Sequence, residues 1–427
     1  MFRRTVQLCL ALVLAAGMAC QLSAAEKVAP QGPAKKPAPA APIRYDVLYQ
    51  VRLPVFADAL LEKFEQWAER ELRQKPGERD EDYALRKLAG EAFQKGLSRT
   101  LRDLEEVSLG WKIDRQAKRT FCDLRITAQP GTALASGLAQ ARELKTALAG
   151  FRLPGAVFQA QWVTRKLYPE DAATAAKFVE QLRQKAMKDI DRQGASEDEK
   201  RIRKELANQV FDVLRDTAAS GRSDGAVSLV IGPKAATLLA GCFVADGLKL
   251  QDVARKVGEF LRDNHPAFSG LKLDAETFEG VTLHTMPLPL PPLGDQEKVR
   301  QVLGESPEVV LGFGKEAVYL AAGKDAVQRL KEAIRKSATP VAPPAPAEVW
   351  LALTPIAQFM AEMGNDRQKQ HAQQALEWLG QAKGKDHLRA VVRTTDRGVM
   401  LRIEAEQGVL ELVRAIRPDI GKFFLGP

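Results

Sequence analysis

The chain has 427 residues, 45% of them hydrophobic and 27% charged, with a formal net charge of +9. That length holds two or three domains with a sizeable core. The basic surplus is spread over 63 basic and 54 acidic residues, and no basic cluster with interleaved aromatics marks a nucleic-acid face. Weak attraction to anionic lipids or to envelope polymers such as peptidoglycan is compatible with it.

The first 25 residues read as an export signal. Arg3 and Arg4 precede a mainly apolar run over 5–22, and Ser23-Ala24-Ala25 offers small residues for cleavage before Glu26. An alternative is a lipoprotein anchor on Cys20, against which Gly17 stands where leucine is usual. The expectation is an exported protein, periplasmic or extracellular, with membrane association only peripheral or through acylated Cys20. The most apolar later run, 235–245, falls far short of the ~20 residues a spanning helix needs.

Residues 26–44 are rich in Pro, Ala and Lys and form an extended spacer. A plan then recurs four times. Module 1, 45–150, has the alternating strand DVLYQVRLP, a helix with Phe56, Leu60, Phe64, Trp67 and Leu72 on one face, and a second helix through Leu85–Leu104. The strands VSLGWKID and RTFCDLRITA follow, and then a helix over 132–148. Module 2, 151–264, repeats the order: strand AVFQAQWVT, a helix opened by Pro169, a helix announced by the capping-box pair Ser196 and Glu199, strands AVSLVIG and TLLAGCFVA, and a helix after Gly247.

Module 3, 265–337, is shortened. It has the strand GVTLHTMP, a proline-rich stretch over 286–293, a short helix near 298–303, the hairpin VVLGFGKEAVYLAA and the helix DAVQRLKEAIRK. A Pro/Ala linker over 338–347 precedes module 4, 348–427, with strand EVWLALTP, helices across 356–379, strands HLRAVVRT and VMLRIEAE, and the helix VLELVRAI. The last strand of each module ends alike, as LRITAQPG, CFVADG, YLAAG and LRIEAEQG. The fold expected is α+β, with tandem β-α(α)-β-β-α modules forming mostly antiparallel sheets and helices packed on one face. Modules 1 and 2 are expected to share a domain, and the linker sets module 4 apart.

Several motifs invite chemistry and fail its spacing. Gly323-Lys324 lies between a strand and a helix as in a phosphate-binding loop. The first glycine and the hydroxyl after Lys324 are missing, and Asp325 stands there instead, as a helix N-cap. Gly221-Arg222-Ser223-Asp224-Gly225 is a formal G-x-S-x-G, but a helix precedes it and a strand follows, the reverse of a nucleophile elbow. It reads as a polar loop. Ser269-Gly270-Leu271-Lys272 has S-x-x-K spacing without its companion motifs in order.

His265, His284, His371 and His387 show no H-x-x-x-H spacing, and no C-x-x-C pair exists. Cys122 and Cys242 occupy matching hairpin strands and are expected as buried, free thiols, a disulfide being the alternative if modules 1 and 2 pack symmetrically. Trp67, Trp111, Trp162, Trp350 and Trp378 are expected in the core or on sheet surfaces. The sequence thus assigns no catalytic, cofactor-binding or metal-binding residue, and no cofactor.

In layout, this arrangement of signal, Pro/Ala spacer and tandem modules resembles uncharacterised bacterial exported proteins built from tandem α/β modules. The resemblance covers most of the mature chain, rests on no diagnostic motif, and implies a non-enzymatic protein. The function expected is an envelope protein that binds or scaffolds a protein or envelope-polymer partner through sheet surfaces or grooves between modules. A carrier or chaperone for apolar ligands, and a hydrolase with a site assembled from distant residues, are the alternatives.

Overall fold

The computed structural model describes residues 43–53, 57–164, 167–232, 235–287 and 307–416. The expected signal segment, most of the first spacer, the proline-rich run from 288 and the short helix near 298–303 lie outside them. Among the described residues there are ten α helices and thirteen strands, paired antiparallel throughout the registers given below, and the class is α+β. The chain divides into two compact units.

One unit holds the described residues of Ala24–Ala57, Thr100–Glu143 and Ala345–Pro427. Its strands are β1 (Val47–Arg52), β2 (Leu104–Asp114), β3 (Arg119–Ala128), β11 (Ala347–Ala352), β12 (His387–Thr395) and β13 (Gly398–Glu406), in the order β1-β2-β3-β13-β12-β11. β2 and β3 form a hairpin, and so do β12 and β13, as alternation with short polar turns predicts. β3 pairs along its length with β13, from Gly398↔Thr127 to Glu406↔Arg119. The hairpin of module 1 therefore pairs edge to edge with that of module 4. Hairpins fix only local pairing; β3 and β13 meet across more than 250 residues, and that long-range choice leaves no trace in either strand's pattern.

The core of this unit is Leu53, Leu104, Ala128, Leu134 and Leu138. The last two come from α3 (Ala133–Gln140), capped by the Thr132 side chain. Helices α8 (Leu353–Met363), α9 (Asp366–Gln381) and α10 (Gln407–Ile416) complete the unit, with a capping box of Asn365 and Gln368 opening α9.

The helix expected over 132–148 stops at Gln140. Beyond it Thr146 makes an isolated bridge with Val341, and Asp224 accepts hydrogen bonds from Thr146 Oγ1 (2.8 Å) and the Ala147 amide (2.7 Å). A short 3₁₀ turn, Ala149–Phe151, then delivers Phe151 to a core. These tertiary partners outbid the helical propensity of the alanines and leucines there.

The other unit comprises Asp58–Arg99 and Leu144–Pro344 among its described residues. Its strands are β4 (Phe158–Thr164), β5 (Ser223–Gly232), β6 (Ala235–Phe243), β7 (Lys272–Phe278), β8 (Val281–Pro287), β9 (Glu308–Gly314) and β10 (Ala317–Gly323), in the order β4-β5-β6-β10-β9-β8-β7. The core joins Leu239, Leu283, Val310 and Ala321 of the sheet to Phe151 and to Ala326, Leu330, Ala333 and Ile334 of α7 (Ala326–Lys336). The α7 pattern places these at spacings of three and four, with Arg335 and Lys336 exposed.

Helices α1 (Ala57–Glu71), α2 (Asp80–Asp103), α4 (Pro169–Asp191), α5 (Glu197–Ser220) and α6 (Gly247–Asn264) supply the rest, α2 running across the boundary at Arg99. Pro169 opens α4 and Ser196 with Glu199 forms the expected capping box of α5. Ion pairs lace the helix surfaces, among them Lys185–Asp82 at 2.6 Å and Arg183–Asp212 at 2.8 Å.

Sequence periodicity misses β7. Its residues KLDAETF are mostly exposed, and its pairing to β8 is broken by a register shift between Lys272 and Glu276. Asp274 there has φ +47°. A bulged edge strand carries no clean alternation to read.

Candidate functional site

The Gly323-Lys324 turn is structural. Gly323 ends β10 at φ +106°, and the Lys324 amide bonds to the Ala236 carbonyl. Asp325 precedes α7 but is itself left-handed, at φ +56°, and its side chain caps nothing. The expected capping carboxylate is therefore corrected: in this backbone geometry Asp325 makes the turn, and its carboxylate does not bond the helix amides.

The G-x-S-x-G stretch is not a loop beyond its first two residues, since Ser223, Asp224 and Gly225 open strand β5. Gly221, at φ +66°, ends α5. The Ser223 hydroxyl accepts the Trp162 indole N–H at 3.0 Å, and a Cβ at Gly225 would overlap the Trp162 ring. The glycine and serine thus seat a tryptophan. Burial pushes the Asp224 carboxyl above the usual carboxylate range, opposed by its bonds from Ala147 and Thr146. That carboxylate fastens the segment entering the 3₁₀ turn to β5. Ser269 follows the 3₁₀ turn Pro266–Phe268 and Lys272 begins β7, so the S-x-x-K residues are split between a turn and a strand.

Cys122 and Cys242 are free and belong to different units, both partly exposed as residues. Burial pushes the Cys242 thiol up to about 11 and raises that of Cys122. Neither supplies a thiolate at neutral pH. Trp67 departs from the expected burial, being 49% exposed and stacked on Phe64.

The histidines separate. His265 ends α6 and His371 is exposed on α9. His284 is 3% exposed on β8, where Nδ1 accepts the Asp274 amide at 2.7 Å. Nε2 has no hydrogen-bond partner and the ring lies 5.2 Å from that of Phe313. Burial holds its pKa below the ordinary 6.5, with the Asp274 carboxylate opposing and Arg255 reinforcing. A protonated Nδ1 cannot accept the Asp274 amide. The stability owed to the neutral ring is therefore complete above about pH 6.5 and is lost as pH falls through the lower folded-state value. Urea denaturation between pH 5 and 7 should show this slope, and His284→Leu should flatten it; an unchanged slope in the variant would refute the assignment.

Asp123 is 2% exposed and receives both forks of Arg402, Nε and Nη2, at 2.7 Å each, while Tyr45 donates its hydroxyl at 2.7 Å. Phe121 covers the guanidinium at 4.1 Å. Burial and the Asp123 carboxylate push the Tyr45 hydroxyl up to about 12. Both Asp123 oxygens are bonded and the charge is paired, which is the signature of a structural latch.

One constellation was invisible in the sequence. Asp386, His387 and Glu406 bring one donor atom each to within 4.8 Å of one another. His387 opens β12 and Glu406 closes β13, and the hairpin register Leu388↔Ala405 brings these ends together. His387 Nδ1 lies 2.7 Å from Glu406 Oε2 and 3.6 Å from Asp386 Oδ1. The only sequence cue is adjacency of Asp386 and His387, which fits no ligand motif.

An exposed apolar strand lies elsewhere in the same unit. All six residues of β1 are exposed, including Val47 (40%), Leu48 (53%), Tyr49 (67%) and Val51 (46%). β1 ends the six-stranded order, and its register with β2 runs unbroken from Val47↔Trp111 to Arg52↔Glu106. Among the described residues its other edge pairs with nothing. No helix of the described residues is long and apolar enough to cross a membrane. Comparison with known protein families, curated proteins and solved structures finds no match to this chain.

Proposed function

We propose that this chain is a non-enzymatic exported envelope protein that scaffolds by adding strands at the β1 edge, with a second copy of itself as the partner. The observation that carries this reading is the undefended state of β1. Proteins protect sheet edges with bulges, inward charges or covering segments. β7, at the end of the strand order of the other unit, shows such protection: a register shift, a left-handed Asp274, and Lys272 and Glu276 on the strand. Among the described residues VLYQVR has none of it before its terminal arginine.

Charge favours the antiparallel self-pair. A twofold axis at Tyr49 sets Asp46 of one copy opposite Arg52 of the other, and Val47 opposite Val51. Asp46 uses Oδ2 to accept the Ile113 amide, which leaves Oδ1 for the guanidinium. A pairing of six residues is smaller than a standard stable interface, so the dimer expected is a weak, micromolar one.

Sedimentation velocity on the mature chain should show a concentration-dependent dimer. Tyr49→Lys places two ammonium groups at the axis, and Arg52→Asp sets carboxylates against each other; each should weaken the dimer at least tenfold while circular dichroism stays unchanged. A wild-type chain that stays monomeric at hundreds of micromolar, or variants that dimerise as well as wild type, would sink the reading.

A further inference from the structure

We propose that Asp386, His387 and Glu406 bind one divalent cation of the zinc type. This rests on a different surface from β1 and stands or falls separately. Three donors of the right kinds converge, one imidazole and two carboxylates, which is a zinc-type set with a fourth position left for water. Around a tetrahedral ion with bonds of about 2.0–2.1 Å, ligand atoms stand about 3.4 Å apart. The 3.6 Å from His387 Nδ1 to Asp386 Oδ1 is already near that value. The 2.7 Å from Nδ1 to Glu406 Oε2 must open by about 0.7 Å, which side-chain rotation of a partly exposed glutamate supplies.

The surroundings hold this set in place. The Asp386 side chain is 5% exposed, and its Oδ2 accepts the Thr354 amide at 2.6 Å, which fixes the carboxylate at the start of α8. Among the described residues no lysine or arginine pairs with Asp386, so a buried carboxylate faces His387 without a permanent cation. The indole of Trp350 lies 4.2 Å from the His387 ring and limits its rotation. Glu406 Oε2 also accepts the His387 amide at 3.0 Å, and Lys385 Nζ stands 3.8 Å from Glu406 Oε1. Lys385 opposes the metal but sits on the oxygen the metal does not use.

Zinc takes a neutral imidazole through a ring-nitrogen lone pair, so at Nδ1 the ion replaces the contact with Glu406 Oε2. An imidazole ligand favours zinc over magnesium, which prefers all-oxygen sites.

Isothermal titration of the full mature chain with zinc chloride should give saturable 1:1 binding, weakened at least tenfold in His387→Ala and in Glu406→Gln. The double variant His265→Ala/His371→Ala should bind as wild type does. Zinc should also shift the His387 ring resonances of the wild-type chain and leave those of His284 in place, a readout that needs no variant to fold. No saturable zinc binding, equally tight magnesium binding, unchanged binding in His387→Ala, or an unmoved His387 ring would each overturn the assignment.

Discussion

Replacing Gly323 by valine is expected to lower stability by about 3–5 kcal/mol, a loss large enough to unfold a marginal domain. Two effects add. Valine is β-branched and disfavours the positive φ of +106° that ends β10. A Cβ there would also overlap the carbonyl oxygen of Ala236, the acceptor of the Lys324 amide. The last rung of the β10–β6 ladder, Gly323↔Thr237, has to open, and α7 starts three residues later with Ala326 and Leu330 in the core. Lys324→Ala and Asp325→Ala are the controls: both side chains are exposed, Asp325 caps nothing, and each should change stability by less than about 0.5 kcal/mol. Urea denaturation of the three variants decides it; a Gly323→Val chain within 1 kcal/mol of wild type would mean that the turn is not strained as described.

The second large effect is expected at Arg402. Arg402→Met strips the 2%-exposed Asp123 of both its charged bonds and should cost about 3–5 kcal/mol, because the carboxylate stays buried without a counter-charge and with only the Tyr45 hydroxyl as a side-chain donor. Removing both partners in Asp123→Leu/Arg402→Met should recover most of that loss, since no buried charge is then left. Tyr45→Phe removes one hydroxyl bond to a charged acceptor and should cost about 1.5–3 kcal/mol. Thermal and urea unfolding of wild type, Asp123→Leu, Arg402→Met and the double variant forms a cycle, with Tyr45→Phe measured beside it. If the double variant is as unstable as Arg402→Met, the pair matters through packing on Phe121 and not through charge.

Much of the local structure was legible beforehand. The capping box of Ser196 and Glu199, the proline opening α4, the stripe of α7 and each hairpin except β7–β8 follow from residues close in sequence. Signals failed where distant residues competed with local preference. The helix over 132–148 stops at Gln140 because Asp224 and Val341 capture the residues after it. The polar stretch at Ser223 extends β5 because Trp162 needs a hydroxyl to bond and a glycine to lie on.

By itself, then, the sequence determined the α+β class, the order of strands and helices apart from β7, and the failure of each familiar motif, because periodicity, caps and turns act within a few residues. Only the tertiary structure decided that β3 pairs with β13, that β1 is left at an edge with its apolar residues exposed, and that Asp386 and His387 meet Glu406. Pairing between strands far apart depends on which faces and edges are free once both hairpins exist. Side chains that converge through such a ladder carry no spacing for the sequence to show.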